Sequence, residues 1–379
     1  MKQSDIAGAA SGVMKQSEIA GAASGVMKQS DIIPVQRCVR FAQRPHSGCV
    51  RSTSRVTSRL MRLGVCLATV MQVSVVYPPF AGAQTAKSAH QREVLDTKLQ
   101  SKLETLVRGF KGDVGIYVRN LKTGRSAAVR ADELFPTASM IKVPILIGTF
   151  DSIEKGKFTF QQMMTYRDSL KYSYDDTLST PRDGAQIPIA KLTLQMITES
   201  NNTSALWLQG LVRGDTINQW LHEHGFDSTR VNSRIPAREA NRKKYGWGQT
   251  TPREMASLLV TIREGNAVSR AASEEMYRHF TRIYWNGEAL SQLPPWVQAA
   301  SKQGMVDHSR SEVVLVNAPS GDYVFAITTK NQQDSSYVEG NEGYALIRAL
   351  SAMLWREFEP KHPFLPEPGA RRFKPPEEP

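Results

Sequence analysis

Apolar residues recur at helical spacing across residues 91–110, at Val94, Leu95, Leu99, Leu103 and Leu106, and predict an amphipathic helix. Directly after it, Val114, Ile116 and Val118 alternate with other residues in DVGIYVRN, the period of a half-buried strand. Leu121-Lys122-Thr123-Gly124 supplies a turn, and residues 126–133 return as a second strand. From Thr137 to about Glu288 the pattern is mostly helical, broken by Pro- and Gly-rich loops. Strand periodicity returns late, in 313–316 and 323–329 on either side of Asn317-Ala318-Pro319-Ser320-Gly321. Residues 342–358 then predict a closing amphipathic helix.

Strands at both ends of the chain, with helices between them, predict an α+β fold in three αβα layers. Both chain ends form one antiparallel sheet flanked by helices, and an all-helical subdomain is inserted in the middle. Residues 84–358 are enough to bury such a core. The tail 359–379 is Pro-rich and charged, and is expected to be flexible.

The first 83 residues follow other rules. MKQSDIAGAASGV is repeated as MKQSEIAGAASGV, and a third copy begins at Met27. That period is too short for a solenoid, and residues 1–60 read as an unstructured repeat leader translated from an upstream start. Residues 61–83 have the layout of a signal peptide. Arg59 and Arg62 precede an apolar run from Leu63 to Val76, and Ala81-Gly82-Ala83 offers a small-x-small cleavage site. The run is shorter than the ~20 residues that span a bilayer. Export to the periplasm or the medium is therefore expected, with Gln84 as the mature N-terminus and no stable membrane anchor.

Cys38, Cys49 and Cys66 all fall in this leader, so the mature chain has no disulfide and no thiol for catalysis or metal binding. The leader also holds 10 of the 48 basic residues and 3 of the 36 acidic ones. Of the net charge of +12, +5 remains for the rest, and no nucleic-acid partner is inferred from it. No metal or nucleotide motif stands out, and no cofactor is expected.

The chemistry begins at Thr137-Ala138-Ser139-Met140-Ile141-Lys142. With Thr137 as N-cap, Ser139 falls in the first helical turn and Lys142 one turn later on the same face. The helix N-terminus favours negative charge developing beside Ser139, and an uncharged Lys142 can take the hydroxyl proton. Ser-x-x-Lys alone is weak, and it recurs at Ser152-Ile153-Glu154-Lys155, where a charged segment running into Gly156 reads as a surface helix end. Two elements farther along the chain single out Ser139. The first is Ser200-Asn201-Asn202 between two apolar helices, and the second is Lys302-Gln303-Gly304 on a strand near the C-terminus. Taken singly, Ser-x-Asn is a common loop triplet and Lys-x-Gly a common turn.

As an ordered trio they resemble the Ser-x-x-Lys, Ser-Asp-Asn and Lys-Thr-Gly elements of class A β-lactamases and penicillin-binding proteins. The resemblance covers residues 91–358 and includes Thr250-Thr251-Pro252 with Met255-Ala256. It implies that Ser139 is the acylated nucleophile and Lys142 its proton acceptor. Ser200 would pass a proton to the leaving nitrogen, and Asn202 would bind the substrate's side-chain amide. Lys302 would anchor the substrate carboxylate and help keep Lys142 neutral, with Gln303 and Gly304 beside it. The backbone N–H groups of Ser139 and Met305 would form the oxyanion hole. A literal Lys122-Thr123-Gly124 precedes the nucleophile and reads as a hairpin turn.

Three departures accompany the resemblance. Asn201 stands where the family has Asp. Gln303 replaces a hydroxyl residue, for which Arg310 is a candidate substitute in carboxylate binding. Ile235 stands where family β-lactamases carry the Glu that activates the deacylating water. Glu239, four residues on, is the candidate general base, or else a solvated Glu among Arg238, Arg242, Lys243 and Lys244. A monomeric serine β-lactamase acting on a small-molecule substrate is the leading expectation. A D-Ala-D-Ala peptidase or esterase, a sensor that acylates without turnover, and a vestigial site remain open. Tyr174 is a candidate for the cleft mouth.

Overall fold

The computed structural model describes residues 92–172 and 181–375. The leader and Tyr174 lie outside the described residues.

Two hairpins from opposite ends of the chain meet in one sheet. The N-terminal part contributes β1 (Val94–Leu95), β2 (Asp113–Asn120) and β3 (Arg125–Val129). Three short strands follow in the middle of the chain, β4 (Phe135–Pro136), β5 (Met163–Thr165) and β6 (Gln186–Pro188), and then β7 (Arg230–Val231) and β8 (Gly248–Thr250). The C-terminal part gives β9 (Ala299–Val306), β10 (Ser309–Val316) and β11 (Tyr323–Lys330). The main sheet runs β1-β3-β2-β11-β10-β9, and β2 and β11 pair antiparallel from Asp113↔Lys330 to Asn120↔Tyr323. That seam joins the chain ends, as the sequence pattern predicts, while β9 is left at the edge. The remaining short strands form the separate sheets β4-β8-β7 and β5-β6.

Alternation along the strands divides the core in two. On β11, Val324 and Ala326 face the inserted helices, whereas Tyr323, Phe325 and Ile327 face the terminal helices. The terminal layer is α1 (Thr97–Leu106) and, at the end of the chain, α9 (Glu342–Phe358). The inserted layer holds α2 (Lys142–Glu154), α3 (Ile189–Thr198), α4 (Asn202–Val212), α5 (Gly214–Glu223), α6 (Glu239–Tyr245), α7 (Pro252–Arg263) and α8 (Arg270–Phe280).

The first helix starts later than its apolar pattern suggests. Asp96 caps it by accepting from the Leu99 N–H at 3.0 Å, so Leu99 and Leu103 are buried on the helix. Val94 and Leu95 instead pair in parallel with Arg125 and Ser126, and both are exposed. The closing helix keeps its predicted bounds. Asn341 caps it, and Asp334 accepts from the Ser336 and Glu342 N–H groups at 3.0 Å. The Ser336 hydroxyl, followed by these two N–H donors, holds the Asp334 carboxyl down at about 2. A carboxyl depressed on folding contributes stability above its unfolded value, and that contribution is lost as pH falls towards 2. Asp334→Ala is therefore expected to destabilise the protein at pH 7, with the difference from the parent vanishing near pH 2 in denaturant titrations.

The C-terminal segment departs from the expected flexible tail. Through residue 375 it lies against the body: Trp355 donates Nε1–H to the His362 carbonyl at 2.7 Å, and Arg371 bonds the Gly287 carbonyl and pairs with Glu339.

Candidate active site

Ser139 sits in a 3-10 turn, Ala138–Ile141, that runs directly into α2. Thr137 does not cap it: its backbone is already helical, and its buried hydroxyl makes no hydrogen bond. The turn is positioned by its neighbours instead. Thr137 N–H donates to the Gly248 carbonyl at 3.0 Å, and Met140 N–H to the Thr137 carbonyl at 3.0 Å. Ala138 takes φ +42, a conformation L-residues rarely hold without support from the surroundings.

That support comes from the edge strand. A Cβ on Gly304 would lie 2.7 Å from the Thr137 carbonyl oxygen and 2.8 Å from the Ser139 nitrogen. Only glycine lets β9 come this close to Ser139. Ser311, across from Gly304 on β10, donates its hydroxyl to the Gly304 carbonyl at 3.0 Å.

Lys142 is fully buried on the first turn of α2, with Nζ 3.0 Å from Ser139 Oγ. The same amine donates to Ser200 Oγ at 3.0 Å, to Asn202 Oδ1 at 2.7 Å and to the Ser200 carbonyl. Ser200 reaches it from the loop between α3 and α4 by adopting φ +59. Asn201 next to it caps α4, its Oδ1 accepting from Ser204 N–H at 2.7 Å. An uncharged amide carbonyl thus braces the start of α4. From the far side, fully buried Lys302 on β9 donates to Ser200 Oγ at 2.9 Å, and to the Gln303 carbonyl and side-chain oxygen at 3.0 and 3.2 Å.

One hydroxyl therefore bridges two buried amines, and one of those amines touches Ser139 Oγ. Burying an ammonium is costly, and two ammoniums on one hydroxyl repel each other. The arrangement disfavours two protonated amines at once, and an amine left neutral beside Ser139 is the form that can accept its proton. The cleft over Ser139 has a volume of about 770 Å³. Tyr172, Tyr245, Trp247, Val306 and Tyr337 line it together with Lys244, His308 and Lys330.

The family model described as the β-lactamase enzyme family matches residues 98–358. The chain belongs to this β-lactamase family. It is a serine β-lactamase-like hydrolase, and all three sequence elements that carried the resemblance meet at Ser200 and Ser139. Among curated relatives, β-lactamase VEB-1 of Pseudomonas aeruginosa is 23% identical over 275 residues, 69% of this chain and 90% of that protein. A β-lactamase of Streptomyces fradiae is 25% identical over 272 residues, 70% of this chain and 87% of its own. Among solved structures, PBP-A is 28% identical with a TM-score of 0.64, covering 71% of this chain and 99% of its own. An ancestral class A β-lactamase, 23% identical with a TM-score of 0.62 over 69% of this chain and all of that one, shares the fold.

Two expected members of this β-lactamase site are not brought to it. Arg310 is fully buried, with its guanidinium bonded to the carbonyls of Val306, Ser309 and Ser336 at 2.6–2.9 Å and stacked between Tyr337 and Tyr344. It braces the β9–β10 turn and does not replace the missing hydroxyl at the cleft. Glu239 opens α6 with its side chain half exposed, 3.5 Å from Arg242, so the solvated reading is the one observed. Ile235 is buried against Gly214. Among the described residues lining the cleft the one carboxylate is Asp307, and it accepts from the Tyr337 hydroxyl at 2.7 Å.

Sequence reasoning missed Tyr172, Lys244, Tyr245, Trp247 and Tyr337 at the cleft. The aromatic pair flanking Gly246, just ahead of Thr250-Thr251-Pro252, was an available signal. A second groove, of about 780 Å³, runs between α1 and α9, where Lys102 is paired with Glu357 and Ser101 donates to the Thr97 carbonyl. It offers no hydroxyl bonded to an amine.

Proposed function

We propose that this chain opens β-lactams through an acyl-enzyme on Ser139, and hydrolyses that ester slowly: among the described residues Ile235 is buried, Glu239 faces solvent, and the one carboxylate lining the cleft, Asp307, is bonded to the Tyr337 hydroxyl. The single supporting observation is the continuous hydrogen-bonded path from Ser139 through Lys142 and Ser200 to Lys302. Ser139 Oγ adds to the lactam carbonyl while its proton passes to Lys142 Nζ. The C–N bond then breaks, and Ser200 hands its proton to the leaving nitrogen as it takes one from the neighbouring ammonium. The N–H groups of Ser139 and Met305 receive the oxyanion, and Gly304 lets β9 lie close enough to the Ser139 turn for that. Asn202 takes the side-chain amide, and Lys302, with Gln303 beside it, the ligand carboxylate.

A second reading, a D-Ala-D-Ala peptidase or simple esterase, is favoured by Ile235 being buried and Glu239 facing solvent. A PBP-A mutant has been solved as an acyl-enzyme complex with penicillin G, consistent with acylation in either reading. Among the described residues no helix is long and apolar enough to cross a membrane, and the layout of residues 61–83 supports export.

The test is to mix the purified protein with benzylpenicillin and follow intact mass over time. The expected result is a Ser139 adduct that forms quickly and persists for minutes or longer; no adduct overturns the proposal. An adduct cleared within seconds would mean that a base for water has been overlooked. Glu239→Gln is expected to change steady-state hydrolysis of a chromogenic cephalosporin by less than about twofold, since a solvated carboxylate outside the cleft contributes none of the ~10²–10⁴-fold of general-base catalysis.

A further inference from the structure

Behind the strand that carries Lys302 lies a carboxylate for which the acylation chemistry has no use. Glu312 is on β10, cross-strand from Gln303, and is 1% exposed. Its Oε1 accepts from the Ser301 hydroxyl at 2.6 Å, and its Oε2 from the Ala289 N–H at 3.0 Å. Among the described residues it has no ion-pair partner, which is rare for a carboxylate at this depth.

The charged groups on the surrounding elements are otherwise engaged. Glu288, ahead of Ala289, pairs with Arg348 of α9 at 2.5 Å and with Arg371 of the C-terminal segment at 3.7 Å. Arg310, on the same strand, is held by backbone carbonyls. β11 places Ile327 opposite Glu312. Lys302, on the adjoining strand next to Gln303, is the charge that pulls on the Glu312 carboxyl, more weakly than its two hydrogen bonds do.

The cleft poses a problem that this carboxylate can solve. A single proton on the Lys142–Lys302 pair has two places to sit, and only one of them leaves a base beside Ser139. We propose that Glu312 is a positioning residue for acylation: acting through Lys302, its carboxylate keeps the proton on that amine and leaves Lys142 free to accept the Ser139 proton. The inference rests on the acylation chemistry proposed above. Coupling between titrating groups is mutual, so the stabilisation that the Lys302 ammonium gives the carboxylate is returned to the ammonium. Glu312 itself exchanges no proton during the step. Burial pushes its carboxyl up to about 7, against the opposing pull of the Ser301 hydroxyl, the Ala289 N–H and the Lys302 charge. The bias on the amines is accordingly present above that pH and absent below it.

Glu312→Gln isolates the charge. The amide oxygen can accept from Ala289 and the amide nitrogen can donate to Ser301, so both hydrogen bonds are kept. The measurement is the second-order rate of Ser139 acylation by benzylpenicillin, from quenched intact mass, between pH 5.5 and 8.5. The parent rate is expected to rise by more than about twofold through pH 7, while E312Q runs flat at the parent's low-pH level. Ser301→Ala removes a donor from the carboxylate and is expected to move the parent's rise to higher pH. Stability gives a readout without any β-lactam. A carboxyl whose folded value lies above its ordinary 4.5 costs stability as pH climbs from about 4.5 to 7, so the parent should lose ground to E312Q across that window.

Acylation profiles of parent and E312Q that superimpose within twofold overturn the inference, as does a stability difference that does not change with pH. Should E312Q fail to fold, an S301A profile that does not move overturns it equally. A parent that never acylates at any pH is a different result: it removes the functional reading, and this inference with it.

Discussion

On the acylation chemistry proposed above, Lys142→Met is expected to lower the rate at which a penicillin acylates Ser139 by about 10²–10⁴-fold, the range general-base catalysis supplies. Methionine fills nearly the same buried volume, so packing around the first turn of α2 is preserved. What disappears is the only amine bonded to Ser139 Oγ, at 3.0 Å, among the described residues. Two acceptors, Asn202 Oδ1 and the Ser200 carbonyl, lose their donor, at a stability cost of about 1–3 kcal/mol. Removal of a buried amine offsets part of that cost. Thermal melts would show a folded protein, and intact-mass time courses would show the slow adduct. Acylation within about threefold of the parent would mean that another group takes the proton, with Lys302 through Ser200 the first suspect.

Gly304→Val is expected to be comparably severe for a different reason. Its Cβ would stand 2.7–2.8 Å from the Thr137 carbonyl oxygen, the Ser139 nitrogen and Ser311 Oγ. Two of these are backbone atoms of the turn that presents the nucleophile, and neither can move without carrying Ser139 along. Overpacking of this kind costs about 1–3 kcal/mol, and an ångström of displacement at a reacting atom costs about a further 10²-fold in rate. Gly304→Ala should show most of the loss, because the clash begins at Cβ. An alanine variant that acylates at the parent rate, measured by the same mass assay, would show that β9 can retreat at no cost to the chemistry. It would also remove the basis for placing the oxyanion between Ser139 and Met305.

These two positions are legible in the sequence to different degrees. Lys142 follows from local geometry, since three residues along a helical turn bring two side chains to one face whatever the rest of the chain does. Gly304 can be named from its place after Lys302 and Gln303, but not for its reason. The need for glycine is created by the 3-10 turn 138–141, which arrives from 165 positions earlier in the chain, between Gly304 and Ser139. Alternation in β2 and β11 likewise fixes which residues face which layer, while their pairing, Asp113 to Lys330, is a long-range fact that no window of sequence contains.

Glu239 and Arg310 mark the limit. Each is a charged residue close in sequence to where charge is wanted, and each side chain turns elsewhere. Glu239 starts a short helix whose first turn faces solvent, next to Arg242. Arg310 alternates with Ser311 on β10, so when Ser311 faces the nucleophile's turn, Arg310 must face the opposite side of the sheet. Sequence by itself determined the long strands, the closing helix, and the identity of the hydroxyl and the two amines, because these depend on period and order. Tertiary structure alone decided that the two amines share Ser200 Oγ and that Ile235 is buried, because each depends on where distant segments come to rest.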